Sequence, residues 1–351
     1  MDNKKINVQL AALNPFIETN IVENISKKIQ GKDFIIWGDN NKYPNYLNGL
    51  YKNVPTLQSA INTLTNYING NGISTTNSYF ANKVNNKGET LEDVVTRCVF
   101  DYVVYGGFSL QILRNNLGNV SEIYYIDFAN VRTDEKREIF YYSEDWDKSF
   151  GRVKYITYPK FNVNDSNPSS ILYFVGNTKE TYPTPLYGSA IIACEIEKAI
   201  NQYSLNEINN NFLTTKIINF NNGVPDDELK VQIERELNEK FSGFQNAGRL
   251  MVSFNDGKEN ETSITDLGSD NLVDRYNQLA DRCKKQIFIA FRATPNLLGD
   301  PTETTGFNSQ EFAEAFKLFN RTVVNPMQRD VVRQLETVLG KDTVTIEQFS
   351  I

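Results

Sequence analysis

The chain has no histidine among its 351 residues. This removes the commonest side-chain base near neutral pH, the Ser-His and Cys-His nucleophile pairs and most catalytic zinc sites. Cysteine is scarce: Cys98, Cys194 and Cys283 are widely separated, and each falls in a predicted helix. They read as three unpaired thiols in a reducing compartment. No apolar run approaches the roughly 20 residues that span a bilayer. The opening MDNKKINVQLAALNPF lacks the apolar stretch of a secretory signal. The expectation is a soluble chain made in a cytoplasm, with no membrane partner. Also missing are a GxxxxGK[ST] phosphate loop and the HExxH, CxxC, GxSxG and EF-hand patterns. No catalytic residue, metal or cofactor is therefore assigned.

What is present is acidic and polar. Lys and Arg number 36 against 43 Asp and Glu, giving a net charge of −7 and a pI of about 5.0. A surface that grips DNA needs clustered Lys and Arg. An acidic protein can still let DNA pass without holding it. The hydrophobic fraction of 40% supports real cores, and the length allows two domains or one with insertions. The acidic groups Asp226-Asp227-Glu228 and Asp134-Glu135 read as solvated cap or turn charges rather than acid–base pairs.

The first half reads as an α+β module. Residues 34–50 are turn-rich and aromatic. Leu57, Ala60, Ile61, Leu64, Tyr67 and Ile68 keep helical spacing from about Pro55, and Gly70-Asn71-Gly72 stops that helix. A second helix covers about 90–105 and ends at Gly106-Gly107. Short strands follow at about 108–114, 120–127, 138–143, 152–158 and 170–175, which predicts an antiparallel sheet. Trp37 and Trp146 read as core or hinge packing, with an exposed ligand platform as the other possibility.

After the break Tyr182-Pro183-Thr184-Pro185, a helix runs from near Leu186 to about Leu213. Its expected apolar stripe is Ile192, Ile196, Ala199, Ile200 and Tyr203. The rest of its surface, including Glu195 and Glu197, is polar. The insert 214–267 reads as βαββ: a strand over 215–220, a helix capped by Asp226, and strands over 249–254 and 262–267. It is too small for a large core and would be stabilised by neighbours of its own kind. A long helix over about 271–291 then meets Pro295 and Leu297-Leu298-Gly299. A Thr-rich polar loop follows. Asn308 with Glu311 resembles a capping box, and Phe312, Phe316 and Phe319 form a row read as core packing. Pro326 is expected to kink or interrupt that last helix. Two long helices joined by a polar loop without catalytic groups point to a mechanical or channel element.

The ordered set of motifs resembles a known family. It comprises Leu-Tyr-Gly-Ser (186–189), Asn-Phe (211–212), an Asn-Gly turn with Pro225, and Gly-Arg-Leu-Met-Val (248–252). Asp270, Ile287-Phe288-Ile289-Ala290-Phe291, Pro295, Leu297-Leu298-Gly299 and Asn308-Ser309-Gln310-Glu311 complete it. From about 35 to 340 the chain is similar to portal proteins of tailed bacteriophages, the head-to-tail connectors. Trp37-Gly38-Asp39-Asn40-Asn41-Lys42-Tyr43-Pro44 resembles the opening of portals from phages or prophages of Bacteroidetes-like hosts.

The resemblance implies an α+β portal fold. Its parts would be a mixed wing (1–185), stem helices 186–213 and 268–297, a small α/β clip (214–267), a tunnel loop (298–308) and a tunnel or wing helix with a short C-terminus (309–351). A helical crown would be short or absent. It implies no enzyme but a ring of about twelve copies at one capsid vertex of the virion, assembled in the bacterial host cytoplasm. Double-stranded DNA would be packaged and ejected through it. Its partners would be the large terminase, the major capsid protein or scaffold, and a head-tail adaptor. Thr302, Glu303, Thr304, Thr305 and Asn308 would face the passing DNA. Lys284, Lys285 and Arg292 would add positive rings near the tunnel, or simply place favourable charge at a helix C-terminus. Arg292 departs from the pattern, since Gly is common before the Pro. Asn221, Asn222, Asp226, Asp227 and Glu228 would lie in the docking clip. The competing readings are a monomeric carbohydrate- or nucleic-acid-processing hydrolase and a monomeric binding module.

Overall fold

The structure is a computed structural model that describes residues 21–146, 153–176, 179–209, 216–220, 223, 225–241, 250–254, 272–300 and 309–349. Strands β1 (Ser26–Lys28) and β2 (Ile35–Trp37) form an antiparallel pair. Helix α1 (Tyr43–Asn53) follows, where the sequence suggested only turns. Its inward residues Tyr43, Leu47 and Leu50 are buried, so tertiary packing holds a segment of weak helix formers. Pro55 opens α2 (Pro55–Asn69), where a missing N–H costs nothing. Helix α3 (Leu91–Tyr105) starts on a capping box. Thr90 accepts from the Asp93 N–H at 3.2 Å and the Asp93 carboxylate accepts from the Thr90 N–H at 2.8 Å. It ends at Gly106, whose φ of 89° suits glycine and whose place a Cβ would contest, 2.8 Å from the Thr184 carbonyl.

Two antiparallel sheets follow, where the strand spacing predicts one. Strands β4 (Gly107–Arg114), β5 (Val120–Ile126), β6 (Val131–Thr133), β7 (Ile139–Tyr142), β8 (Ile156–Pro159) and β9 (Ser169–Val175) form the orders β5-β4-β9 and β6-β7-β8. One large core joins the three helices to the β5-β4-β9 sheet through Leu57, Ile61, Val95, Val99, Phe108, Leu110 and Ile112.

The Trp37–Pro44 motif is a structural knot. The Trp37 indole is buried and stacks on Tyr182 with ring centroids 4.5 Å apart. Asn41 adopts φ 64° and accepts from the Trp37 N–H at 3.0 Å. The buried Arg132 guanidinium donates to the Asn41 Oδ1 (2.5 Å) and O (2.9 Å) and to the Ala129 and Val131 carbonyls. It also lies 4.9 Å from the Trp146 ring centroid and 5.8 Å from that of Trp37. Desolvation lowers its pKa to about 10. Both tryptophans are therefore packing residues.

Helix α4 (Ile191–Asn209) is preceded by a 3₁₀ turn at Gly188–Ala190, so the regular helix begins five residues later than expected. Strands β10 (Lys216–Phe220) and β11 (Leu250–Phe254) pair in parallel, with α5 (Asp227–Phe241) as the crossover between them. The expected strand over 262–267 lies outside the described residues. Helix α6 (Leu272–Ala290) leads to a 3₁₀ turn at Pro295–Leu298. Helix α7 (Ser309–Phe319) continues through a π segment at Asn320–Val324 into α8 (Asn325–Leu339). The expected interruption at Pro326 thus takes the form of a widened turn just before a proline that cannot donate an i→i−4 bond. Strand β12 (Val344–Glu347) pairs antiparallel with β3 (Gly72–Thr75), tying the end of the chain to α2 and α3.

Candidate functional site

Helices α4 and α6 pack side by side and run antiparallel. Tyr187, just before α4, stacks on Phe291, just after α6, at 5.7 Å, and Tyr203 meets Tyr276 at 4.9 Å. Midway, the free, buried Cys194 and Cys283 are neighbours. Burial, then the Glu197 and Glu195 carboxylates and the Cys283 thiol, push the Cys194 thiol up to about 12. The end of α4 and the start of α6 therefore share one end of the pair, and the chain between them leaves and returns there.

The face α4 buries is not the expected stripe. Glu195 and Glu197 are buried, whereas Ile192 is 61% exposed. Each acid has a partner for one carboxylate oxygen, while Glu197 Oε2 is buried without a hydrogen bond among the described residues. Lys198 Nζ lies 3.4 Å from Glu195. Glu197 Oε1 accepts from the Thr56 N–H at 3.2 Å, in the first turn of α2, where no local side chain caps the helix. Ile192, Ile289 (73% exposed), Leu186, Ala193 and Arg292 border an open pocket of about 530 Å³. Ile196, Ala199, Ile200, Tyr203, Tyr276 and Leu279 line a second, apolar groove of about 340 Å³.

Arg292 occupies the left-handed position that terminates α6, with φ 56°. Its N–H donates to the Ile289 carbonyl (2.9 Å) and the Ala293 N–H to the Phe288 carbonyl (3.2 Å), a Schellman closure. Gly fits such a site best, which explains why Arg is the unusual residue here. Lys284 is ion-paired with Asp300 at 2.9 Å, while the Lys285 and Arg292 side chains are exposed. The turn at Pro295–Leu298 is pinned to α2: Ser59 Oγ donates to the Leu298 carbonyl (3.1 Å) and the Tyr67 hydroxyl to that of Leu297 (3.2 Å). The Tyr67 ring also touches Phe316 (5.4 Å) and Phe319 (5.9 Å), so the Phe row is core. Tyr67 and Ser59 thus hold the chain just before the loop between α6 and α7, and Tyr67 also packs on α7. Sequence alone gives no sign of it, because Tyr67 sits in an ordinary helical stripe and Ser59 is a polar residue beside that stripe.

The expected loop residues Thr302, Glu303, Thr304, Thr305 and Asn308 lie outside the described residues, as do Asn221 and Asn222. In the insert, Asp226 caps α5 by accepting from the Leu229 N–H at 2.9 Å, and Asp227 pairs with Lys230 at 2.8 Å. Glu228, Leu229 and Val231 are exposed, and Phe220 stacks on Phe254 at 5.3 Å. Asp134 accepts from the N–H groups of Lys136, Glu138 and Ile139, a turn role. Among the described residues there is no group of three metal-binding side chains, and no helix is long and apolar enough to cross a membrane.

A search of curated proteins gives no match. Solved structures do match. A chain of the virion of a native gene transfer agent particle aligns with TM-score 0.56 and 16% identity, covering 87% of this chain and 83% of that one. A chain from the neck of the native particle, computed with C12 symmetry, gives 0.53 and 15%, with 86% and 84% covered. An HK97-family phage portal protein from Corynebacterium diphtheriae gives 0.51 and 12%, with 82% and 88% covered. At such identities these likenesses speak for the fold. The family model "Phage portal protein" matches residues 52–347. With the antiparallel α4–α6 pair, its small α/β insert and most of the chain inside that match, this protein belongs to the phage portal protein family.

Proposed function

We propose that this portal protein works as one subunit of a ring of about twelve copies at a capsid vertex, with α4 and α6 as the stem around an open axis. Residues 186–213 and 268–297 form the stem, 214–267 the clip, 298–308 the tunnel loop, and 1–185 the wing. Residues 309–351 supply the following helix and join the wing. The observation that carries the reading is the antiparallel α4–α6 pair with an insert at its shared end. A two-stranded parallel sheet with one helix is too small to be stable alone, which suits a clip braced by its neighbours. The exposed Ile192–Ile289 face would close against a different face of the next copy, as a ring requires. The C12 symmetry of the gene transfer agent neck supports that copy number.

The channel's task is passage, not grip. At −7 per chain, a twelve-fold ring carries about −84, which keeps phosphates from adsorbing. Thr302, Glu303, Thr304, Thr305 and Asn308 would face the duplex. Lys285 and Arg292 would add exposed positive charge near the tunnel, with Lys284 neutralised by Asp300. The clip, through Asn221, Asn222, Asp226, Asp227 and Glu228, would dock the large terminase during packaging and the head-tail adaptor afterwards. The wing would meet the major capsid protein or scaffold. Assembly would take place in the bacterial host cytoplasm, with a Bacteroidetes-like host suggested by the Trp37–Pro44 motif. The chain itself would perform no chemistry. Light scattering on the purified assembly tests the ring: a 40.1 kDa monomer as the only species, also after adding scaffold or capsid protein, would count against it. A particle of roughly half a megadalton agrees with it.

A further inference from the structure

Helices α7 and α8 carry two buried rows that are out of phase. Gln328, Val331, Leu335 and Leu339 are buried on α8. Phe316 and Phe319 are buried on α7, and Phe312 packs against the same core. At about 100° per residue, an unbroken α-helix would set the two rows about 140° apart. The π turn Asn320–Val324 holds one residue more than an α turn, and its bond runs from the Asn325 N–H to the Asn320 carbonyl. One extra residue turns α7 back by about 100°, which leaves the rows about 40° apart and on one face. The end of α2 then meets both rows. The Tyr67 ring receives Phe316 and Phe319, and the Gln328 side-chain amide donates to the Ile68 carbonyl at 3.0 Å.

The turn is held from two sides. Pro326 has no N–H, and inside an α-helix its ring would press on the Thr322 carbonyl. Gln348, just beyond β12, spans the turn. Its Nε2 donates to Asn325 Oδ1 and Gln328 Oε1, both at 3.2 Å, and its Oε1 accepts from Asn320 Nδ2 at 3.5 Å. Asn320 and Asn325 are the two residues that the π bond joins, so the Gln348 amide fits a spacing that an α turn would not keep. We propose that Asn320–Val324 is a register joint: a stored residue that aims the Phe row of α7 at Tyr67 and is locked by Gln348. Tightening to an α turn would bring Lys317 and Asn320 to the places of Phe316 and Phe319. The joint thereby ties the orientation of α7 to the docking of β12 on β3. The proposal concerns the single chain and stands apart from the ring reading.

Deletions in the full chain test the stored residue, in a Pro326→Ala background that lets an α turn form. Removal of Thr322 is expected to keep the folding equilibrium constant, from urea unfolding, within about tenfold of that background, because the rows stay in phase. Removal of Arg333, an exposed residue of α8, is expected to lower it at least about a hundredfold, because part of a buried row turns away from the core. Equal losses from the two removals would overturn the proposal. Hydrogen exchange on Gln348→Ala reads the lock without a deletion. Amides of 320–325 are expected to exchange at least about tenfold faster than in the parent, with those of 331–339 unchanged. Unchanged exchange at 320–325, or equal acceleration over both stretches, would overturn it.

Discussion

Replacing Arg292 separates backbone from charge at the end of α6. The residue sits at φ 56° and closes the helix through two backbone bonds, with its side chain exposed. A non-glycine residue in this conformation costs about 1–2 kcal/mol. Glycine removes that cost but loses about 0.5–1 kcal/mol to the greater freedom of the unfolded chain. Arg292→Gly is therefore expected to leave stability equal or raise it by up to about 1.5 kcal/mol. Arg292→Ala keeps the strain and is expected within about 0.5 kcal/mol of the parent. Arg292→Val adds β-branching at positive φ and is expected to be the least stable of the series. Urea midpoints with unchanged slopes measure this order. A glycine variant weakened by more than about 1 kcal/mol, or valine matching alanine, would refute the reasoning, because the side chain and not the backbone would then govern the site. Arg292→Asn tolerates the conformation without the charge. If the charge serves the channel, particles carrying it package less DNA; undiminished DNA content would assign Arg292 to the helix end alone.

Asp101 is buried and accepts from the Tyr125 hydroxyl and the Phe128 N–H, both at 3.0 Å. Desolvation, then the nearby Asp127, push its pKa well above the usual carboxylate range. With the folded pKa above the unfolded one, its contribution is present near pH 4 and is lost as pH rises through the folded pKa. Asp101→Asn, which keeps an acceptor, is expected to exceed the parent in stability at pH 7 and to lose that advantage near pH 4; the opposite trend in urea midpoints would contradict this. Glu197→Ala uncaps α2 and is expected to cost about 0.5–2 kcal/mol, with Glu197→Gln losing less. Equal losses in thermal or urea unfolding would mean that the Thr56 bond contributes nothing. Bulky replacements of Thr304 and Thr305 are expected to leave ring formation intact and reduce genome filling, and unchanged DNA content in mutant particles would move the loop away from the duplex.

Much of the fold was legible wherever signals were local. Helices α2 and α3 carry their own periodicity and their stops at Gly70 and Gly106, and β4, β5, β7 and β9 alternate between turn residues. Helix α1 was not legible, because Asn45, Asn48 and Gly49 weaken its local signal and burial of Leu47 and Leu50 decides it. Strands β3 and β12 are short and find each other across most of the chain. The face of α4 was misread because the partners of Glu195 and Glu197 include Thr56 on another helix, which periodicity cannot show. At the candidate site, Asp226 declared its capping role through spacing alone. The anchoring role of Tyr67 exists only once α2, the turn at Pro295–Leu298 and α7 have come together.

The most direct test of the account is an axial electron-microscopy reconstruction of the purified assembly. The account predicts a ring with an open centre, the α4–α6 pairs standing around that opening and the β10–α5–β11 insert projecting from one end. A particle without an axial opening, or a ring whose centre is bounded by the β5-β4-β9 sheets with α4 and α6 on its outer rim, would contradict it.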